Sequence, residues 1–346
     1  MPPLTQLIIT TNLIIGTTIA ASSHHWLMAW TGLELNMFSI LVIIMQPKHP
    51  RAAEASIKYF LVQTIASLIM LFSGTMNALQ TGQWDISQLT NKYANTMFVL
   101  AMLMKIGAVP IYFWLPEVMQ GTTTKTALII ATWQKIAPIT LLFMTFNNTP
   151  PKVLLILGVM SISIGGLTGI NQTQIRKLMA FSSLTNLGWT MVVLSLSPHT
   201  AVLNIFIYMI MLIPVFIMMQ KMTLKTLQDM TTTWTSSTMS SIMLMLMFLS
   251  LGGLPPLTGF MPKLLILNVL VTHKLTLISA MIAMLSLISL FFYMRTTYVI
   301  TMTNPPMLIN NTAKWRPKLH HNKLTSALTI MSLTSILLLP TMVATI

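Results

Sequence analysis

Apolar residues run along this chain in blocks of about 18 to 25, separated by short polar breaks, and the blocks recur from end to end. That is the length an α-helix needs to cross roughly 30 Å of hydrocarbon. Read between loop signals, the blocks predict helices at about 3–21, 26–45, 56–79, 96–118, 126–145, 153–170, 178–196, 200–220, 238–271, 275–300 and 325–344. The expected fold is an all-α integral membrane protein of about 11 crossings, forming one membrane domain over residues 1–346. The first block has no basic leader and runs almost directly into the second, so it is expected to be retained and not cleaved as a signal.

Composition sharpens this picture. Hydrophobic residues make up 54% of the chain and charged residues 7%, with a mean hydropathy of +0.77, whereas a soluble domain carries about 25% charged residues. The 18 prolines and 14 glycines are compatible with membrane helices, which tolerate breakers when neighbours satisfy the freed backbone groups. A formal charge of +14 would suggest nucleic acid in a soluble protein, but here the basic residues sit mostly in loops and report topology. One side collects Lys48, Arg51, Lys125, Arg176, Lys177, Lys221, Lys225, Lys314, Arg316, Lys318 and Lys323; the other holds little beyond Lys92, Lys152 and Lys274. The positive-inside rule then puts the N-terminus inside and the C-terminus outside. Phospholipid headgroups are the expected partners of the basic loops, and nucleic acid is not.

With no cysteine, the chain cannot form disulfides, thiolate metal sites or iron–sulfur ligands of its own. It also lacks a phosphate-binding glycine loop, a dinucleotide fingerprint and a haem attachment motif, so no cofactor is expected within it. The histidine pairs His24–His25 and His320–His321 stand in loops without metal-spaced neighbours and read as surface residues. "SIGGLTG", Ser163 to Gly169, reads as a small-residue helix contact.

Four charged side chains fall at the centres of predicted spans: Glu34, Lys105, Lys135 and Lys263. Each costs roughly 2.5–3.5 kcal/mol at a helix centre, so such residues face protein or water and mark ion paths. Structural ion pairing is the alternative, but one glutamate can neutralise one lysine and not three. The surplus lysines are suited to carrying protons. Helix breakers stand beside two of them. Pro110 follows Lys105 in the fourth span, and "GGLPPLTGF", with Gly252, Gly253, Pro255 and Pro256, precedes Lys263 in the ninth. Interrupted helices at matching places in two halves point to a transport site built from inverted repeats. The predicted architecture is therefore two inverted five-helix repeats, 1–145 and 152–300, with broken helices 4 and 9, plus one C-terminal helix at 325–344.

"KIGAVPIYFWLPEVMQG" (Lys105 to Gly121), "TWQKIAP" (Thr132 to Pro138), "NQTQIRKLMAFSSLTNLGW" (Asn171 to Trp189) and "LSLGGLPPLTGFMPK" (Leu249 to Lys263) resemble the antiporter-like membrane subunits of respiratory complex I. The resemblance covers essentially the whole chain. It implies a subunit of the proton-translocating NADH:ubiquinone reductase of the mitochondrial inner membrane, with the basic side facing the matrix and the C-terminus on the intermembrane side. It implies that NAD, FMN, iron–sulfur clusters and ubiquinone are carried by other subunits, and that the partners are other membrane-arm subunits, phospholipids, protons and internal water. By the same resemblance Glu34 and Lys105 form the family's glutamate–lysine pair, Lys135 is its central lysine and Lys263 the lysine of its second broken helix. Tyr112 and Asn186 stand where many relatives carry histidine; both can hydrogen-bond, and neither titrates near pH 7. Two further readings stay open: a non-pumping scaffold subunit of the same membrane arm, and an independent monovalent cation/proton antiporter.

Overall fold

The structure, a computed structural model, describes residues 3–236, 238–302 and 323–334. The loop carrying Lys314, Arg316, Lys318, His320 and His321, and the far part of the last predicted helix, lie outside the described residues. Every regular element among the described residues is helical. Helices α1 (Pro3–Ser22), α2 (Trp26–Met45), α3 (Pro50–Thr81), the stretch Thr124–Met144, α8 (Pro151–Ile170), α10 (Pro198–Lys221) and α14 (Thr276–Met302) are long and apolar enough to cross a membrane. Between them come α4 (Lys92–Ile106), α5 (Trp114–Gly121), α6 (Thr124–Ala131), α7 (Trp133–Met144) and α9 (Ile175–Leu194). After α10 follow a 3-10 turn at Gln228–Thr232, α11 (Thr233–Ser236), α12 (Thr238–Gly252), α13 (Phe260–Thr272) and, beyond α14, α15 (Lys323–Thr334). Their ends lie within a few residues of most of the predicted ones, because lipid-length apolar runs punctuated by caps leave little freedom.

The chain forms two compact units, Met1–Ser161 with Met191–Pro198, and Ile162–Thr190 with His199–Ile346. In the first, α2 packs between α1 and α3, and α3 lies against α4 and α5. The crossing of α1 and α2 depends on two glycines. A Cβ on Gly16 would sit 2.9 Å from the Gly32 carbonyl oxygen, and one on Gly32 would sit 2.8 Å from that of Gly16. Without a hydrophobic drive between helices in lipid, such close backbone approach is a main source of association. The turn into α2 is capped by His25, whose Nδ1 accepts the Leu27 amide at 3.2 Å. Its ring stacks on Trp84 at 5.8 Å, and the amides of Trp26 and Ile86 donate to the carbonyls of Trp84 and His24 at 3.2 and 2.9 Å. The exposed histidine pair thus also fastens the 81–95 loop.

In the second unit α14 packs on α12 and α13. The predicted small-residue contact is present: a Cβ on Gly166 would meet Ile288, and one on Gly169 would meet Phe292 at 3.0 Å. Arg295, an ionisable residue of α14 that the pattern of span centres passed over, donates from Nη1 to the Ile170 carbonyl at 2.6 Å and so caps the C-terminal end of α8. Outside the spans, the amides of Thr226 and Lys225 both donate to Asp229 Oδ2 at 2.8 Å. They hold its carboxyl below the usual carboxylate range, so this anchor persists through neutral pH and is released only as pH falls through that lowered value.

One predicted element differs. The span expected at 126–145 is interrupted at Thr132, which closes α6 and opens α7 with φ −113° and ψ −73°. Pro138 inside α7 has no amide to donate and its ring crowds the carbonyl a turn earlier, so this stretch of helix is loosened at its start.

Gly32→Val should force α1 from α2 and destabilise the chain by about 1–3 kcal/mol. Lower chain abundance in the membrane, against an unchanged Leu79→Ala control at an exposed helix position, would show it. Equal abundance of both variants would contradict the close crossing.

Candidate functional site

A helix broken inside a membrane leaves carbonyls that must find donors, and α4 ends this way within the first unit. Gly107 adopts φ +82°, a left-handed conformation that glycine enters without steric cost. Its amide donates to the carbonyls of Leu103 (2.9 Å) and Met104 (3.3 Å), and the Ala108 amide also reaches Leu103 at 2.9 Å. The Trp114 indole donates to Met104 O at 3.1 Å, and Gln63 Nε2 on α3 donates to Lys105 O at 3.2 Å. The chain then passes Pro110 and resumes as α5.

The second unit repeats this arrangement. Helix α12 ends at Gly252, and Gly253 has φ +82°. Its amide donates to Leu249 (3.2 Å) and Ser250 (3.0 Å), and the Leu254 amide donates to Leu249 at 3.4 Å. After Pro255 and Pro256 the chain resumes as α13. Along the two breaks Gly107 corresponds to Gly253, Pro110 to Pro256, Trp114 to Phe260, Pro116 to Pro262 and Glu117 to Lys263, at one constant offset. The two lysines therefore stand on opposite sides of their breaks. Lys105 closes the first half of its helix, and Lys263 opens the second half of its own. Lys263 Nζ donates to the Gly252 carbonyl at 2.8 Å, whereas the side-chain donors of the first break, Trp114 and Gln63, serve carbonyls two and one positions earlier in register. Glu117, the residue in Lys263's place, lies 2.7 Å from Lys58 Nζ, which also pairs with Glu54.

Lys105 and Lys135 are both buried, each 3% exposed. Lys105 borders a small cavity with Asn36, Tyr59, Gln63 and Gln134, closed on its apolar side by Leu33 and Met37. Glu34 on α2 acts electrostatically on both Lys105 and Tyr59, without a contact ion pair to the lysine. Gln134 Nε2 donates to the Tyr59 hydroxyl at 2.8 Å. Glu34 Oε1, Gln134 Oε1 and both polar atoms of Asn36 are buried without a hydrogen-bond partner. Lys135 follows Gln134, three residues beyond the interruption at Thr132. Each of the three central lysines thus stands within about a turn of a helix interruption. In the second unit the buried hydroxyls of Tyr208 and Tyr293 lie beside Ser182, and the Tyr293 ring borders Gly252.

Known proteins share this fold. The family described as NADH:quinone oxidoreductase/Mrp antiporter, transmembrane, matches residues 23–289, and the family described as NADH dehydrogenase subunit 2 C-terminus matches residues 290–346. The NADH-ubiquinone oxidoreductase chain 2 of Varanus nebulosus is 47% identical over 98% of both chains, and that of Gallus gallus is 45% identical over 98% of both. The chain belongs to the NADH-ubiquinone oxidoreductase chain 2 family. Among solved structures, a chain of respiratory complex I from Thermus thermophilus superposes with a TM-score of 0.83 at 20% identity, covering 96% of this chain and 77% of that one. A chain of the Mrp complex from Dietzia sp. superposes at 0.77 and 16% identity, covering 86% and 61%. At those identities the likeness is one of fold.

For this member of the chain 2 family, the sequence singled out Glu34, Lys105, Lys135 and Lys263 as candidates, and helix breaks stand at both proline segments. It did not reveal the break at Thr132, or that Asn36, Tyr59, Gln63 and Gln134 share a pocket. Tyr112, at the first break, stacks on Phe113 at 4.2 Å, and Asn186 Nδ2 donates to the Ser182 carbonyl at 3.0 Å. Both therefore have structural contacts of their own.

Alanine at either break glycine would strain a left-handed residue by about 1–2 kcal/mol, but the consequences should differ. A Cβ on Gly107 would meet the Trp114 ring at 3.1 Å, whereas one on Gly253 would lie 2.8 Å from Lys263 Nζ. In a structure of Gly253→Ala the ammonium should leave the Gly252 carbonyl; in Gly107→Ala Lys263 should not move. An undisturbed Lys263 in Gly253→Ala would contradict this packing.

Proposed function

We propose that the chain is a proton-translocating membrane subunit of respiratory complex I in the mitochondrial inner membrane. It couples NADH:ubiquinone electron transfer in other subunits to proton movement along Glu34, Lys105, Lys135 and Lys263. The observation that carries this reading is the placing of all three lysines beside helix interruptions, the sites where water and backbone dipoles reach membrane depth. The shared family and the fold it has in common with respiratory and antiporter chains support it.

On this reading the chain crosses the membrane 11 times as two inverted five-helix repeats, 1–145 and 152–300, followed by the helix at 325–344. The hydrogen-bond pattern shared by the two breaks supports such a duplication. The N-terminus faces the matrix, where the basic loops meet phospholipid headgroups, and the C-terminus faces the intermembrane space. NAD, FMN, iron–sulfur clusters and ubiquinone belong to neighbouring subunits, in keeping with a chain that has no cysteine.

The mechanism is an electrostatic switch. When a conformational change in neighbouring subunits draws Glu34 away from Lys105, the lysine loses its compensating charge in a low-dielectric pocket and releases its proton toward Lys135. Arrival of positive charge at Lys135 disfavours protonation nearby, so the next proton moves on toward Lys263. Return of Glu34 restores the charged Lys105. No covalent chemistry is asked of this chain.

Lys135→Met in the assembled complex should lower protons translocated per electron pair, or lower translocation and NADH oxidation together, at unchanged complex abundance. Proton uptake into proteoliposomes, measured beside NADH oxidation, checks this. Unchanged rate and stoichiometry would make the lysines structural and leave the chain a scaffold, while cation exchange by the isolated chain in liposomes would favour an independent antiporter.

A further inference from the structure

Tyr59 and Gln134 lie outside the charged path, yet they set the hydrogen-bonding geometry of the pocket beside Lys105. Tyr59 is completely buried on α3, and Gln134 precedes Lys135 on α7. Gln134 Nε2 donates to the Tyr59 oxygen at 2.8 Å, so the tyrosine's own O–H is left to donate elsewhere. Gln134 Oε1 and Asn36 Oδ1 are buried acceptors without a donor, a condition strongly disfavoured unless something in the cavity meets them.

Around this cavity, about the size of a single water, the Tyr59 O–H, the Asn36 amide nitrogen and the Lys105 ammonium can give to an occupant. Gln134 Oε1 can only receive. A water can accept from these donors, give one hydrogen to Gln134 Oε1 and keep the second free. Glu34 on α2 is the charged group that acts on this site from outside the cavity wall.

We propose that Tyr59 and Gln134 are positioning residues that seat one proton-carrying water between Lys105 and the turn of α7 bearing Lys135. In the transfer, an Nζ–H bond of Lys105 breaks as the water oxygen takes that proton. The water releases the hydrogen that Gln134 Oε1 does not hold toward the neutral amine of Lys135, and ends with two hydrogens as it began. Lys105 loses one proton and Lys135 gains one. The amide of Gln134 is never protonated; it fixes the water's orientation, and the Tyr59 hydroxyl fixes the amide. This inference rests on the proposed function of the chain.

The test uses assembled complex in proteoliposomes carrying Tyr59→Phe, Gln134→Met or both, with Lys135→Met as reference. Tyr59→Phe and Gln134→Met keep the volume and remove the hydrogen-bonding groups. Coupled proton translocation per assembled complex should fall by about fivefold or more in each single variant, and the solvent deuterium isotope effect on coupled turnover should rise. The double variant should be no worse than the weaker single one, because both remove one seat. Normal translocation and an unchanged isotope effect in both single variants would overturn the proposal. So would a loss of abundance with normal translocation per remaining complex, which is the signature of a bond that only joins α3 to α7. If Lys135→Met impairs translocation while these variants do not, the water seat alone is wrong; if Lys135→Met is silent too, the proposed function itself fails.

Discussion

The architecture turns on the need to satisfy backbone carbonyls where a helix stops inside hydrocarbon. Each freed carbonyl away from water is costly, and the chain meets that demand with donors drawn from elsewhere in the same unit. At the first break these are the Gly107 and Ala108 amides, the Trp114 indole and the Gln63 amide. At the second they are the Gly253 and Leu254 amides and the Lys263 ammonium. Local turn geometry is therefore the same in both, while the side-chain donors differ. That difference leaves the ammonium of Lys105 within reach of the Glu34 field, whereas that of Lys263 is engaged with its own helix end.

A chain so apolar shows its spans plainly and hides its helix rotations. The ends of α1, α2, α8, α10 and α14 follow from run length and caps, and the two proline breaks follow from residues that cannot continue a helix. Glu34, Lys105, Lys135 and Lys263 stand out because charge is rare here. The partners around them were illegible for a physical reason. Asn36, Tyr59, Gln63 and Gln134 are uncharged and sit on spans that are apolar all round, so no periodic polar stripe tells which face of α2, α3 or α7 turns inward. The break at Thr132 was hidden similarly, since threonine is common in membrane helices and the proline that disturbs the helix lies six residues later.

Lys105 and Lys263 are each a lysine beside a proline-broken helix, on opposite sides of the break. Aligned on their glycines, the breaks put Glu117 and not Lys105 opposite Lys263, and Glu117 is tied to Lys58 at the α3–α5 contact. If the two units descend from one duplicated repeat, the charged functions have moved across the break in one of them while the backbone turn has stayed. Turn geometry is fixed by the left-handed glycine and its carbonyl partners; a lysine's long stem can deliver an ammonium to the break from either side.

The engagement of Lys263 has a consequence for a proton path. A protonated lysine caps the Gly252 carbonyl with a charge-assisted bond, stronger than a neutral one. A neutral amine still has two N–H groups and can keep the same partner more weakly. The helix end at Gly252 is thus satisfied in both protonation states, and a proton can leave without exposing a bare carbonyl to hydrocarbon. Only the strength of the cap changes, which links the position of α13 relative to α12 to the charge on Lys263. At the first break Lys105 is relieved of capping altogether by Trp114 and Gln63, so its charge can respond to Glu34 without loosening the helix that carries it. On the proposed path, the first lysine is arranged to sense an external charge and the last to transmit its own state to the backbone.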